Sequence, residues 1–245
     1  MAMKIGLMSL ALEMRINGCF KNINSVFDLG SQTLHIDYDN LQNLLKLGNF
    51  KFDKEKFKIL KKFPKGKRLS TKLYWETLGV KKYYCSDINK KSKYYVDLNY
   101  PLGKNLKGKQ YDLVTDFGNN EHVFNIAEAY NTMLKLCKKD GYIWIYQSVT
   151  NGNGYFNFDI SFFEAFAAAN KLGVVYSAYV VHTGDYKQYL IPCDKNLLNA
   201  IDLSKTESIC ITYIFKKKIE KKMDYFYQYS ADDLKKVYCT HFLTN

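Results

Sequence analysis

The chain has 245 residues, 47% of them apolar, which is enough to bury a sizeable core, and the composition is that of an ordinary globular protein. Its formal net charge of +12 directs attention to anionic partners: nucleic acid, an acidic membrane surface or a phosphorylated substrate. No apolar run approaches the roughly 18 residues of a membrane span, so a spanning protein is not expected.

Met1 to Leu12 is hydrophobic but lacks a cleavable signal pattern, and a cytoplasmic location follows as the expectation. Ser25 to Leu29 reads as a first strand, ending in Asp28 and the turn residue Gly30. Residues 33–66 are longer than a usual strand-to-helix connection and rich in lysine, phenylalanine and leucine; they read as a helical insertion, either a lid or a cover for the sheet edge. Thr71 to Leu78 reads as a helix capped by Ser70 and closed by Gly79, followed by a strand over Val80 to Ser86 and a short third strand over Tyr94 to Val96.

Tyr111 to Thr115 is the fourth expected strand. A helix over Val123 to Leu136 follows, with Phe124, Ala127, Met133, Leu134 and Cys137 on its apolar face and Lys138 to Gly141 closing it. Tyr142 to Gln147 is the fifth strand, Phe162 to Ala169 a helix, and Val174 to Val181 and Ser208 to Phe215 two further strands. Strands alternating with helices imply an α/β fold, doubly wound on a mainly parallel sheet, and the whole chain, 1–245, is expected to form a single domain. Residues 219–245 read as a charged C-terminal extension with a helix start at Ser230.

The six cysteines are widely spaced, with no CxxC pair, which points to neither a zinc site nor a disulfide framework; no metal is expected. The lysines concentrate in 46–72 and 216–222 without a recognisable nucleic-acid module. A solvated surface is the favoured reading, and nucleic acid the less favoured partner.

Three strand-like runs end near carboxylates, and in open α/β sheets ligands bind outside the carboxyl ends of the strands. Phe27-Asp28-Leu29-Gly30-Ser31-Gln32, Ser86-Asp87-Ile88-Asn89, Val96-Asp97-Leu98-Asn99 and Tyr111 to Val123, with its Asp116-Phe117-Gly118-Asn119-Asn120-Glu121-His122 core, resemble the ordered motifs of class I S-adenosylmethionine-dependent methyltransferases. They are most similar to a bacterial subgroup associated with sugar and surface-polysaccharide modification. The resemblance covers about residues 25–181. It implies a Rossmann-like, seven-stranded sheet with an antiparallel last strand, S-adenosylmethionine as cofactor and S-adenosylhomocysteine as product. It also implies methyl transfer to oxygen or nitrogen of a nucleotide-linked sugar or related small polar or phosphorylated metabolite. A nucleic-acid methyltransferase and a non-catalytic binding protein remain the alternatives, and a homodimer stays open. No GxGxxG follows Gly30, which argues against a nicotinamide dehydrogenase.

The resemblance assigns cofactor contacts to Asp28, Gly30, Ser31, Gln32, Asp87, Ile88, Asp97, Leu98, Asp116, Phe117 and Gly118. Each makes physical sense. Gly30 permits close backbone approach, Asp87 can accept from two ribose hydroxyls, and Asp97 with Leu98 can read an adenine edge, although Asp97-Leu98-Asn99 is equally a turn. His122 is the expected general base, with an intrinsic pKa near 6.5, and Glu121 its orienting neighbour; a structural histidine is the alternative. The acceptor is expected to meet Asn119, Gln147, Asn153, Tyr155, Asn157 and Phe158, the last four in a polar and aromatic loop. In the subgroup a histidine often stands where Asn153 is found here. The other reading of that loop has its aromatics packing on the helix that follows.

Overall fold

The computed structural model describes residues 2–65, 68–89, 92–184 and 187–225, which form two compact units divided after Tyr95. In the first unit, β1 (Ala2–Lys4) pairs in parallel with β3 (Thr33–His35). Helix α1 (Ile5–Ile16) follows β1 directly and buries residues on every side, including Leu7, Met8, Leu10, Ala11 and Met14. A helix apolar all round belongs inside a core, which accounts for the hydrophobic first segment.

Strand β2 (Ser25–Leu29) is buried at each of its five positions, as expected for a parallel strand with both faces covered. Segment 33–66, read as a helical insertion, opens with the strand β3 and then turns helical. After β3 come α2 (Tyr38–Leu47), capped by the Asp37 carboxylate on Asn40 N–H at 2.8 Å, and α3 (Lys54–Phe57), capped by Asp53; a 3₁₀ turn over Lys58–Lys62 continues α3. Helix α4 (Lys72–Thr77) begins where Ser70 Oγ accepts from Lys72 N–H at 3.2 Å, and ends before Gly79 at φ +89°. Strands β4 (Lys82–Asp87) and β5 (Tyr94–Tyr95) complete this unit: β4 pairs in parallel with both β2 and β5.

The second unit opens with β6 (Tyr111–Phe117), a 3₁₀ turn over Asn120–His122, and α5 (Ile126–Leu136). The helix starts later than its apolar pattern suggests because Asn125 caps it, accepting from Glu128 N–H at 3.3 Å. Phe124, expected on the buried face, therefore lies before the helix and is 79% exposed.

Strand β7 (Cys137–Thr150) starts at the residue after α5, earlier than expected. Lys138, Lys139 and Asp140 bulge outward, Asp140 takes φ +62°, and the pairing with β6 shifts register between Tyr111 and Leu113. Helix α6 (Ile160–Asn170) ends on the left-handed Lys171, and β8 (Leu172–His182) follows. Strand β9 (Gln188–Pro192), absent from the expected seven, pairs antiparallel with β8. A short helix α7 (Lys195–Asn199) precedes β10 (Ser208–Lys217).

β10 is inserted antiparallel between β7 and β8, giving the neighbour order β6-β7-β10-β8-β9 in this unit. The α/β class and the antiparallel last strand are as expected. α6 packs on β10 through Phe163 stacked on Tyr213, with centroids 5.0 Å apart, and Phe166 edge-on to Phe215 at 5.8 Å. The expected helix start at Ser230 lies outside the described residues. No described helix is long and apolar enough to cross a membrane.

Candidate functional site

In the first unit, the chemistry-bearing groups gather at the carboxyl ends of β2 and β4. Asp28 is fully buried: its Oδ2 accepts from Thr71 Oγ1 at 2.7 Å and from Tyr83 OH at 2.8 Å. Burial, reinforced by the Asp28 charge, keeps the Tyr83 phenol protonated. The Asp28 carboxylate thus joins β2 to the start of α4 and to β4. Sequence spacing could not show this, since the partners lie 43 and 55 residues away.

Past β2 the chain turns at Gly30, where φ is +78°. This is the left-handed region that glycine enters without a steric penalty. The next N–H, on Ser31, donates to Asp87 Oδ2 at 3.1 Å, while Asp87 Oδ1 accepts from Asn89 N–H at 3.1 Å. The two expected motifs are therefore joined by a direct hydrogen bond. Ser31 Oγ lies 2.5 Å from Ser92 Oγ, and Gln32 Nε2 donates to Leu29 O at 3.1 Å. Beside Asp87, the Ile88 side chain is 62% exposed, an apolar surface next to a carboxylate.

In the second unit, Asp97 Oδ1 accepts from Asn99 N–H at 3.0 Å and from Asn99 Nδ2 at 2.9 Å, and Leu98 is buried. Asp97 thus closes a turn on Asn99. Asn99 then holds Asn125 N–H at 2.9 Å, tying this turn to the cap of α5.

Asp116 is fully buried at the end of β6, where it organises the turn that follows. It accepts from Asn119 N–H at 2.9 Å, from Asn120 N–H at 3.3 Å and from Gln147 Nε2. Burial pushes its pKa up to about 8 against the pull of those donors, and the Glu121 charge adds to the rise. Gln147 is itself buried, and its Oε1 accepts from Glu121 N–H at 3.3 Å. Phe117 is a core side chain, edge-on to Trp144 at 5.0 Å, and Gly118, at φ +78°, donates to Tyr146 O at 2.7 Å.

Glu121 and His122 occupy the 3₁₀ turn fixed by Asp116. Glu121 Oε2 accepts from Ser148 N–H at 2.8 Å, and Oε1 stands 3.6 Å from His122 Nε2. The carboxylate is 7% exposed and the imidazole 43% exposed, so an anchored acid backs an accessible histidine. The Glu121 carbonyl also accepts from Tyr155 N–H at 2.7 Å and from Phe156 N–H at 3.2 Å, joining loop 151–158 to the same turn. In this loop Asn153, Tyr155 and Asn157 are exposed. Phe158, expected to face an acceptor, is instead buried against Tyr130, Phe162 and Phe163, because its N–H donates to Ser148 O at 2.8 Å and draws it into the core.

One pair had no sequence signal: Tyr146 OH lies 2.5 Å from His182 Nε2, and the two are 36 residues apart. A cavity of about 640 Å³ between α5 and α6, lined by Ile126, Tyr130, Phe162 and Met223 among others, contains none of the expected site residues. Among the described residues no group of three or more potential ligands could hold a metal ion.

No protein-family model matches the chain, and no curated protein matches it. Solved structures with a similar chain path include the N-methyltransferase NodS from Bradyrhizobium japonicum in complex with S-adenosyl-L-homocysteine, at 10% identity and TM-score 0.45, covering 86% of this chain and 86% of that one. A SAM-dependent methyltransferase from Archaeoglobus fulgidus is similar at 14% identity and TM-score 0.46, covering 86% of this chain and 94% of that one. A putative methyltransferase from Bacillus halodurans is similar at 10% identity and TM-score 0.47, covering 86% and 99%.

Proposed function

We propose that the chain is an S-adenosylmethionine-dependent methyltransferase whose acceptor is an oxygen or nitrogen of a nucleotide-linked sugar or related small polar metabolite, in surface-polysaccharide synthesis. The observation that carries this reading is the Ser31 N–H to Asp87 hydrogen bond, which sets a glycine turn and a strand-end carboxylate side by side. A carboxylate so placed suits two adjacent ribose hydroxyls, and exposed Ile88 beside it suits a purine face. Buried Asp28, held by Thr71 and Tyr83, ties the strand that leads into this turn to α4 and β4.

The cofactor supplies an electrophilic methyl group on a sulfonium. In the second unit, His122 takes the acceptor proton on its imidazole, and Glu121, 3.6 Å away, orients that ring. General-base help of this kind contributes about 10²–10⁴-fold in rate. Asn153, Tyr155 and Asn157 offer two amides and an aromatic ring to a hydroxylated acceptor.

The test is calorimetric titration of the purified chain with S-adenosylmethionine, S-adenosylhomocysteine and NAD, repeated on Asp87→Ala. Micromolar binding of the first two, none of NAD and a loss in the variant support the reading. Absence of binding to either sulfur compound overturns it and leaves a non-catalytic protein; unchanged affinity in the variant removes the ribose role of Asp87.

A further inference from the structure

The strongest feature that this function leaves unused is the charge on one segment of the first unit. From Lys46 to Lys72 the only acids are Asp53 and Glu55, and each already has a lysine: Lys56 at 3.7 Å from Asp53 and Lys58 at 2.8 Å from Glu55. Lys54, Lys61, Lys62, Lys65 and Arg68 are exposed and have no carboxylate partner among the described residues.

Beneath these cations the segment is rigidly seated. Phe57 and Leu60 are buried, Phe52 stacks on Phe57 at 5.2 Å and meets Tyr38 edge-on at 5.0 Å, and Lys61 Nζ lies 4.9 Å above the Tyr38 ring. Lys54, Lys58 and Lys61 follow at four- and three-residue spacing, so they share a side of the α3 and 3₁₀ turns. At the end of the segment, Leu69 O accepts from Leu34 N–H at 2.7 Å, fixing Arg68 beside β3. There the His35 imidazole is depressed by burial and then by the positive charge of Arg68 and Lys4. The local field is therefore positive.

We propose that this face binds the phosphate backbone of nucleic acid without reading its sequence. An anionic membrane would use the same charges, but interfacial binding also requires apolar side chains to insert. Within Lys46–Lys72 the one large exposed apolar side chain among the described residues is Leu47, at the end of α2 and outside the stretch that carries Lys54 to Lys65. A cluster of exposed cations, of which Lys54, Lys61, Lys62 and Lys65 have no carboxylate partner among the described residues, fits a repeating phosphate, with affinity that falls linearly in log salt. The proposal does not depend on the methyltransferase reading.

The test uses the full chain and a fluorescein-labelled, mixed-sequence single-stranded RNA, with DNA of the same sequence alongside, in anisotropy titrations across a range of KCl concentrations. Lys54, Lys61, Lys62 and Lys65 are replaced together by Gln. A control replaces Lys104, Lys107, Lys139 and Lys218 by Gln, an equal change in net charge on exposed positions of the second unit. The first variant is expected to lose at least tenfold in affinity and to flatten the salt slope by about 0.7 for each phosphate contact removed, with the control near wild type. Equal losses in both variants, or no binding by the wild type, overturn the proposal. So does binding to phosphatidylserine vesicles with none to either oligonucleotide. Melting temperatures near wild type confirm that the exposed substitutions leave the fold intact, and S-adenosylmethionine titration reports on the other reading separately.

Discussion

Gly154 lies so close to Glu121 that a Cβ at residue 154 would stand 2.5 Å from the Glu121 carbonyl oxygen. Because that oxygen also holds Tyr155 and Phe156, Gly154→Ala must push loop 151–158 away from the His122 turn. The expected cost is about 1–3 kcal/mol, as for other overpacked sites, read from the urea midpoint at unchanged slope. A variant as stable as wild type would show that the loop is not held there.

Asp116 makes stability depend on pH in a defined sense. Its folded pKa of about 8 is raised above the ordinary carboxylate value, so its contribution is complete below about pH 4 and is lost as pH rises through 8. In that window stability should fall by up to about 1.4 kcal/mol per pH unit from this group. Asp116→Asn should melt lower at pH 5, having placed an amide among hydrogen-bond donors, and should show a flatter decline from pH 5 to 8. Parallel profiles for variant and wild type would refute the assignment.

Tyr83→Phe removes one of the two hydroxyls that satisfy buried Asp28. Hydrogen bonds to charged groups contribute about 1.5–3 kcal/mol, and a loss of that size is expected in chemical denaturation. Thr71→Val should cost a similar amount. The two losses should not add, because both donors serve one oxygen.

Lys217 is 3% exposed, and its Nζ donates to Leu134 O at 3.0 Å, Cys137 O at 2.8 Å and Glu220 Oε2 at 2.7 Å. Lys217→Met strands two carbonyls at the end of α5 and should lower stability by about 1–3 kcal/mol in a urea titration. A neutral effect would mean that water replaces the ammonium there.

What the sequence made legible follows from how local the cause is. Ser25 to Leu29 was recognisable because Val26, Phe27 and Leu29 make a short apolar run, interrupted only by Asp28, with a glycine turn after it. Helix α1 was not, because a helix buried on all sides has no polar stripe to mark its period. The start of α5 depended on the Asn125 cap, and β7 on a bulge at Asp140, both of which apolar periodicity passes over. Among the site residues, the turn at Gly30 was readable. The partners of Asp28 and Asp116, the inward turn of Phe158 and the Tyr146–His182 pair arise only from tertiary packing.

The position of β10 also sets a condition on assembly. Its two neighbours, β7 and β8, are made earlier in the chain, yet they do not pair with one another and each waits with an open edge for the strand that separates them. A nascent chain emerging from the ribosome cannot close this sheet until Lys217 has been added, and until then it exposes two long apolar edges to other chains. Synthesis halted before Ser208 would therefore yield an aggregation-prone fragment rather than a smaller folded protein.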